Sequence, residues 1–225
     1  MSTDVVVIKN VGKTFATNNG SLEILKDVSF SIKAGEKVAI IGPSGSGKST
    51  LLSLIGLLDT PSSGSIVLNG VEVKNLSDSE QARFRNEHIG FIFQNFELVQ
   101  AFTAAENIAS GLEIGGKREV EERTNELLLQ LGIQDRAEAM PRTLSGGEKQ
   151  RVAIGRALAP LPEIILADEP TGSLDRVTGE RVLGMLIDAV SSANATLIII
   201  THDASVAEKM DRVFELKDYT LYERT

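Results

Sequence analysis

The chain has 225 residues, 42% of them hydrophobic, a formal net charge of −8 and no cysteine, with a mean hydropathy of +0.01. That length supports a well-buried core in one domain or in a domain carrying a subdomain, and the hydropathy suits a soluble globular protein; the longest apolar runs, Leu51 to Leu58 and Leu197 to Ile200, are too short to cross a bilayer. Thirty-one acidic against 23 basic residues argue against a phosphate-backbone partner, so no nucleic acid is expected; the cysteine count excludes disulfides and prenylation, and an N-terminus without a basic-then-apolar leader predicts a cytosolic protein.

Three β-rich runs open the chain: Val5 to Ile8, Val28 to Ile32 and Lys37 to Ile41, separated by turn signals at Asn18-Asn19-Gly20 and Ala34-Gly35-Glu36. The third leads into GPSGSGKST, residues 42 to 50, and then into the helix-like LLSLIGLL. A glycine-rich loop between a strand and a helix is a phosphate cradle: its N–H groups turn around an anion and the helix adds its positive end. Gly42, Pro43, Ser44, Gly45, Ser46, Gly47, Lys48, Ser49 and Thr50 are the expected nucleotide-binding set. Lys48 reaches the terminal phosphates, the Ser49 hydroxyl serves a magnesium ion carried by them, and Thr50 bonds a phosphate oxygen. Ile66 to Leu68 and Val71 to Val73 flank Asn69-Gly70, a type I′ hairpin signal, so the first third is expected to hold antiparallel β structure around the loop.

Ile89 to Gln94, IGFIFQ, alternates as a strand. Its terminal amide, Gln94, either contacts magnesium or water or is a strand cap. Five of the eight phenylalanines, Phe84, Phe91, Phe93, Phe96 and Phe102, lie between 84 and 102. Phe91 and Phe93 share a face expected in the core. Phe96, Leu98 and Phe102 form either a docking patch for another protein or further core.

Residues 95 to 160 read as helical. Lys117 to Leu131 places Val120, Leu127, Leu128 and Leu131 on one face with Gly132 as the stop, and a second helix follows Ser145 until Pro160. LSGGEKQR, residues 144 to 151, sets Ser145, Gly146, Gly147 and Glu148 at that helix start. This is either a simple capped helix or a second anion site, and a second site completing the phosphate pocket of another copy predicts a two-fold dimer around two nucleotides.

Alternating segments follow: a strand at Glu163 to Ala167, a helix over about 177 to 191, a strand at Thr196 to Thr201, a short helix at Val206 to Met210 and a strand at Arg212 to Leu216, implying parallel βαβ units. IILADE ends in two carboxylates at a strand's carboxyl edge, where such sheets bind ligands. Asp168 is expected to hold magnesium, directly or through water, and Glu169 to orient or deprotonate the attacking water. His202 follows the next strand and is placed to bond the γ-phosphate.

In order, GPSGSGKST, Gln94, LSGGEKQR, IILADEP, Ser173-Leu174-Asp175 and His202 resemble the motif set of ATP-binding cassette (ABC) ATPases over nearly the whole chain. The resemblance implies a P-loop α/β fold forming one domain: a RecA-like core with an antiparallel β subdomain (about 1–94 and 160–225) and an α-helical subdomain (about 95–159). It implies ATP and Mg2+ as ligands, Phe15 stacked on adenine, Ser145 and Gly147 closing over ATP of the other subunit, and Asp175 linking the two sites. GLLDTPSSGSIVLNG and ADEPTGSLD are similar to ATPase subunits of the macrolide-export, lipoprotein-release and cell-division group (MacB, LolD and FtsE type), with Ser173 and Gly155 in place of the group's usual Asn and Ala, and Tyr219 where a Gly turn is common. The implied partner is an integral membrane permease-type subunit docked near Gln94 to Phe102, with the chain peripheral on the inner face of the cell membrane. Two rival readings are a soluble ABC ATPase acting on nucleic acid or ribosomes, which usually has two cassettes or a long coiled-coil insertion, and a P-loop small-molecule kinase, which leaves LSGGEKQR unexplained.

Overall fold

The computed structural model describes residues 3–17, 20–113 and 119–224. The chain divides into two compact units, Met1–Arg85 with Thr196–Thr225, and Asn86–Ala195.

In the first unit, β1 (Asp4–Thr17) pairs antiparallel with β2 (Gly20–Lys33) on one edge and β4 (Ser63–Leu68) on the other, with the short β5 (Val71–Glu72) beyond. β1 and β2 are far longer than the runs of apolar alternation. Register shifts after Ile8 and around Lys13 break the two-residue period, so the second half of β1 and the first half of β2 pair without showing it. Asn18 and Asn19 lie outside the described residues. Asn69 and Gly70 take φ of 48° and 79°, the type I′ geometry, but Val73 turns into a 3-10 helix instead of extending β5.

β3 (Lys37–Ile41) is parallel to β8 (Thr196–Thr201) on one side and to β9 (Arg212–Lys217) on the other. Such strands are covered on both faces, which explains why Val38 to Ile40 and Leu197 to Ile200 are apolar throughout and fully buried. β10 (Thr220–Arg224) closes the chain as a hairpin on β9, with Asp218 and Tyr219 both at positive φ. α1 (Lys48–Ile55) follows the glycine loop. α7 spans Ala204–Ala207, earlier than Val206 to Met210, because Asp203 accepts from the Ser205 N–H and starts the helix there. α2 (Asp78–His88), which hydrophobic period alone does not reveal, starts from reciprocal bonds between Ser77 and Glu80.

In the second unit, β6 (Ile89–Ile92) runs parallel to β7 (Ile164–Asp168), one residue later than the Glu163 to Ala167 expected. The helices are α3 (Ala104–Glu113), α4 (Val120–Gln130), α5 (Gly146–Leu158) and α6 (Arg176–Ser192). α4 ends as read: Gly132 at φ 60° lets the Ile133 N–H reach Leu128 O and its own N–H reach Leu129 O. The expected start at Lys117 lies outside the described residues. α5 buries Val152, Ala153, Ile154, Ala157 and Leu158. It approaches β6 so closely that a Cβ on Gly90 would lie 2.4 Å from Ala157 O.

Phe91 and Phe93 do share a face, but they are not core. Their rings stack at 5.7 Å, half-buried, along a groove of about 240 Å³ that Glu97, Arg156 and Pro160 also line, while Ile92 on the opposite face is buried.

Candidate functional site: a phosphate loop and two helix termini

Gly47 is the N-cap of α1 at φ 100°, ψ 8°, and a Cβ there would lie 2.9 Å from Ile24 Cγ2 and 3.0 Å from Ile24 O. Only glycine fits, and it offers no side chain to the first-turn N–H groups, which stay available to an anion. Lys48 is 8% exposed and donates from Nζ to Gly42 O at 2.9 Å and Pro43 O at 3.0 Å, so its ammonium is folded back over the loop. Ser46 Oγ is buried without a hydrogen-bond partner among the described residues. A buried unpaired hydroxyl costs roughly 1–3 kcal/mol. An anion in the loop would relieve it. Ser49 is exposed and Thr50 half-buried in the same turn.

Parallel register brings His202 to this edge. Ile41 pairs with Thr201, so Gly42 and His202 are the next residues of neighbouring strands, about 5 Å apart in the pairing direction. His202 is exposed, and Thr201 Oγ1 accepts from the Asp203 N–H to shape the turn. Phe15, within β1 and two residues before its end, is 40% exposed.

In the second unit Ile92 pairs with Ala167, which sets Gln94 and Glu169 each two residues beyond the same pair. Asp168 ends β7, and Glu169 at φ 45° turns the chain sharply; Gly172 N–H closes the turn on Glu169 O at 3.0 Å. A Cβ built on Gly172 would lie 3.1 Å from Gln94 Nε2 and 3.4 Å from Glu169 Cβ, so the Gln94 amide and the base of the Glu169 side chain both border this turn. Ser173 Oγ donates to Gln94 O at 2.9 Å.

Ser145 starts α5 with a full capping box: the Glu148 N–H reaches Ser145 Oγ, while Glu148 Oε2 takes the Ser145 N–H and hydroxyl, both at 2.7 Å. The Ser145 N–H chiefly, then its hydroxyl and Arg136, hold the Glu148 carboxyl below its usual range. α6 starts close by, since Cβ atoms on Gly146 and Gly147 would lie 3.0 Å from Leu174 Cδ2 and 2.6 Å from Thr178 Cγ2. Asp175 caps α6 through the Thr178 N–H, and bonds from the Thr178 hydroxyl and backbone lower its pKa. That capping role was not legible in the motif.

The phosphate loop, His202 and Phe15 therefore belong to the first unit, and Gln94, Asp168, Glu169, Ser145 to Glu148 and Asp175 to the second. Sequence reasoning missed Arg156. It donates to Phe96 O, at 2.9 Å, and to Glu97 O, two carbonyls of residues at φ 66° and 48°. Burial pulls its pKa down, with Glu97 opposing. No local sequence signal announces a left-handed Phe-Glu pair.

The family model for ABC transporters matches residues 25–172, and the chain belongs to that family. Within it the chain falls with ATP-binding subunits of the LolD and MacB type. The lipoprotein-releasing system ATP-binding protein LolD of Legionella pneumophila (strain Lens) is 41% identical over 226 residues, the whole of both chains. The macrolide export ATP-binding/permease protein MacB of Bartonella quintana (strain Toulouse) is 43% identical over 217 residues, 96% of this chain and 33% of that one. Among solved structures, the dimeric post-hydrolysis state of the cassette MJ0796 bound to ADP and Pi superposes with a TM-score of 0.90 at 40% identity, covering 98% of each chain. Among the described residues no helix is long and apolar enough to cross a membrane.

Proposed function

We propose that two copies of this chain bind two ATP molecules between opposed faces, hydrolyse them, and so drive a separate membrane subunit of the export, lipoprotein-release or mechanotransmission type. The observation that carries the reading is the phosphate loop: a helix start with no side-chain cap, a folded-back Lys48 and a Ser46 hydroxyl that is unpartnered among the described residues. In the proposed cycle Glu169 positions the attacking water while Lys48, His202 and Ser145 of the opposite copy stabilise developing charge. Phe15 stacks on the base, and Asp175 links the two sites. The capping box is the obstacle to closure, since the Ser145 hydroxyl must leave Glu148 Oε2 to meet a phosphate.

The oxygen donors Ser49, Gln94 and Asp168 suit the hard magnesium ion, which would neutralise phosphate charge when bound. The groove beside Phe91 and Phe93, with Val99 42% and Phe102 37% exposed, supports a docking place for the membrane subunit around Gln94 to Phe102. The chain then works at the cytoplasmic face, held there by its partner. The subdomain division over about 95–159 is part of the same proposal.

Glu169→Gln tests it. ATP binding should persist, turnover should fall at least a hundredfold and a dimer should accumulate on size exclusion with MgATP. Full phosphate release by that variant would refute the assignment.

A further inference from the structure

Lys13 is an unusual residue for a strand beside a nucleotide site, being 8% exposed in a chain whose lysines are mostly solvated. Its ammonium is fixed by Asp59 Oδ1 at 2.6 Å and Thr60 O at 2.8 Å. It also lies 4.7 Å from the centroid of the Phe15 ring. A cation over a ring face is attracted by the ring quadrupole and occupies that face. The ring itself remains 40% exposed.

The position along β1 matters as much as the contact. Lys13 pairs with Leu25 across β1 and β2, and a Cβ on Gly47 would meet Leu25 Cδ2 at 3.3 Å. Phe15 is two residues further along, about 7 Å by strand rise. One short path therefore links the phosphate loop, Lys13 and Phe15.

We infer that Lys13, anchored by Asp59 and Thr60, is a positioning residue for base recognition: it covers the inner face of Phe15 and holds the ring so that its outer face is presented to the adenine of a bound nucleotide. The inference rests on Phe15 being the base platform. Phenylalanine has no hydroxyl to tether, so its own polar chemistry does not fix the ring's orientation. A preorganised ring avoids the ordering cost that a freely rotating one incurs on binding.

Isothermal titration calorimetry on the full chain with MgADP and with magnesium pyrophosphate separates the base from the phosphates, and neither ligand is turned over. Lys13→Met should weaken MgADP about 3- to 10-fold, the range expected for a lost cation–π contact, and pyrophosphate less than twofold. Lys13→Arg should restore MgADP binding to within twofold. In a Phe15→Ala background Lys13→Met should change nothing further. Equal losses for both ligands, unchanged MgADP affinity, or a loss that persists without the ring would each overturn the inference. Should Lys13→Met fold poorly because Asp59 is left unpaired, Lys13→Met with Asp59→Asn removes both charges and faces the same criteria. If Phe15→Ala leaves MgADP affinity unchanged, the platform reading fails and the role of Lys13 falls with it; if only Lys13→Met is silent, the platform stands alone.

Discussion

Arg156→Met should release the segment that follows Gln94. In the native chain the guanidinium holds Phe96 O and Glu97 O, and each charge-assisted bond contributes about 1.5–3 kcal/mol. Against this stands the cost of two non-glycine residues in left-handed conformation, φ 66° and 48°, about 1–2 kcal/mol each. The clamp and the strain nearly offset each other, leaving a net of roughly 1–3 kcal/mol that depends on one side chain. Methionine keeps the aliphatic packing and removes the clamp. At a urea slope of about 3 kcal/mol/M, the midpoint should drop by roughly 0.3–1 M. Hydrogen exchange should localise the change, with amides around 96–102 losing protection well before those of α5, and Arg156→Lys should fall between the two because an ammonium cannot span both carbonyls as the planar fork does. An unchanged midpoint with unchanged exchange at 96–102 would show that the loop holds its shape without the arginine.

Gly47→Ala should abolish tight nucleotide binding and lower stability by about 2–4 kcal/mol, because the φ of 100° and the Ile24 backbone oxygen both oppose a Cβ; a nucleotide titration and a melt read the two effects. Ser145→Ala removes a cap worth about 1 kcal/mol, a Tm shift of about 2–4 °C, and should leave nucleotide binding by a single copy intact while cutting MgATP-dependent dimerisation and turnover more than tenfold. Glu148 has its folded pKa lowered by Ser145, so the stability it adds is present above the ordinary glutamate value and is lost as pH falls through and below it. Melting curves between about pH 6 and pH 3 should therefore fall less steeply for Glu148→Gln than for the unaltered chain.

Periodic elements and punctuated ones were readable from residues alone. β3, β8, the stop of α4 at Gly132 and the start of α5 at Ser145 are where the pattern puts them, since each rests on a local rule of spacing or capping. The long halves of β1 and β2 were hidden because their bulges disrupt the alternation on which strand reading depends. The start of α2 was readable in principle: Ser77 with Glu80 carries the same box spacing as Ser145 with Glu148, and so does Thr103 with Glu106 before α3. The motif residues of the site could be named, but the groups that hold them could not. Lys13 with Asp59 and Arg156 with residue 96 are separated by 46 and 60 positions. Only the folded chain brings such partners together.

The hydroxyl of Ser173 has a mechanical corollary. A bond of 2.9 Å has only a few tenths of an ångström of slack before it weakens, so the backbone at Gln94 and the turn after Glu169 move as one body or part company. Two residues later that turn becomes the head of α6, a 17-residue rod of about 25 Å. A small tilt imposed at its head is delivered enlarged at its tail, which makes one serine the pivot pin of a lever.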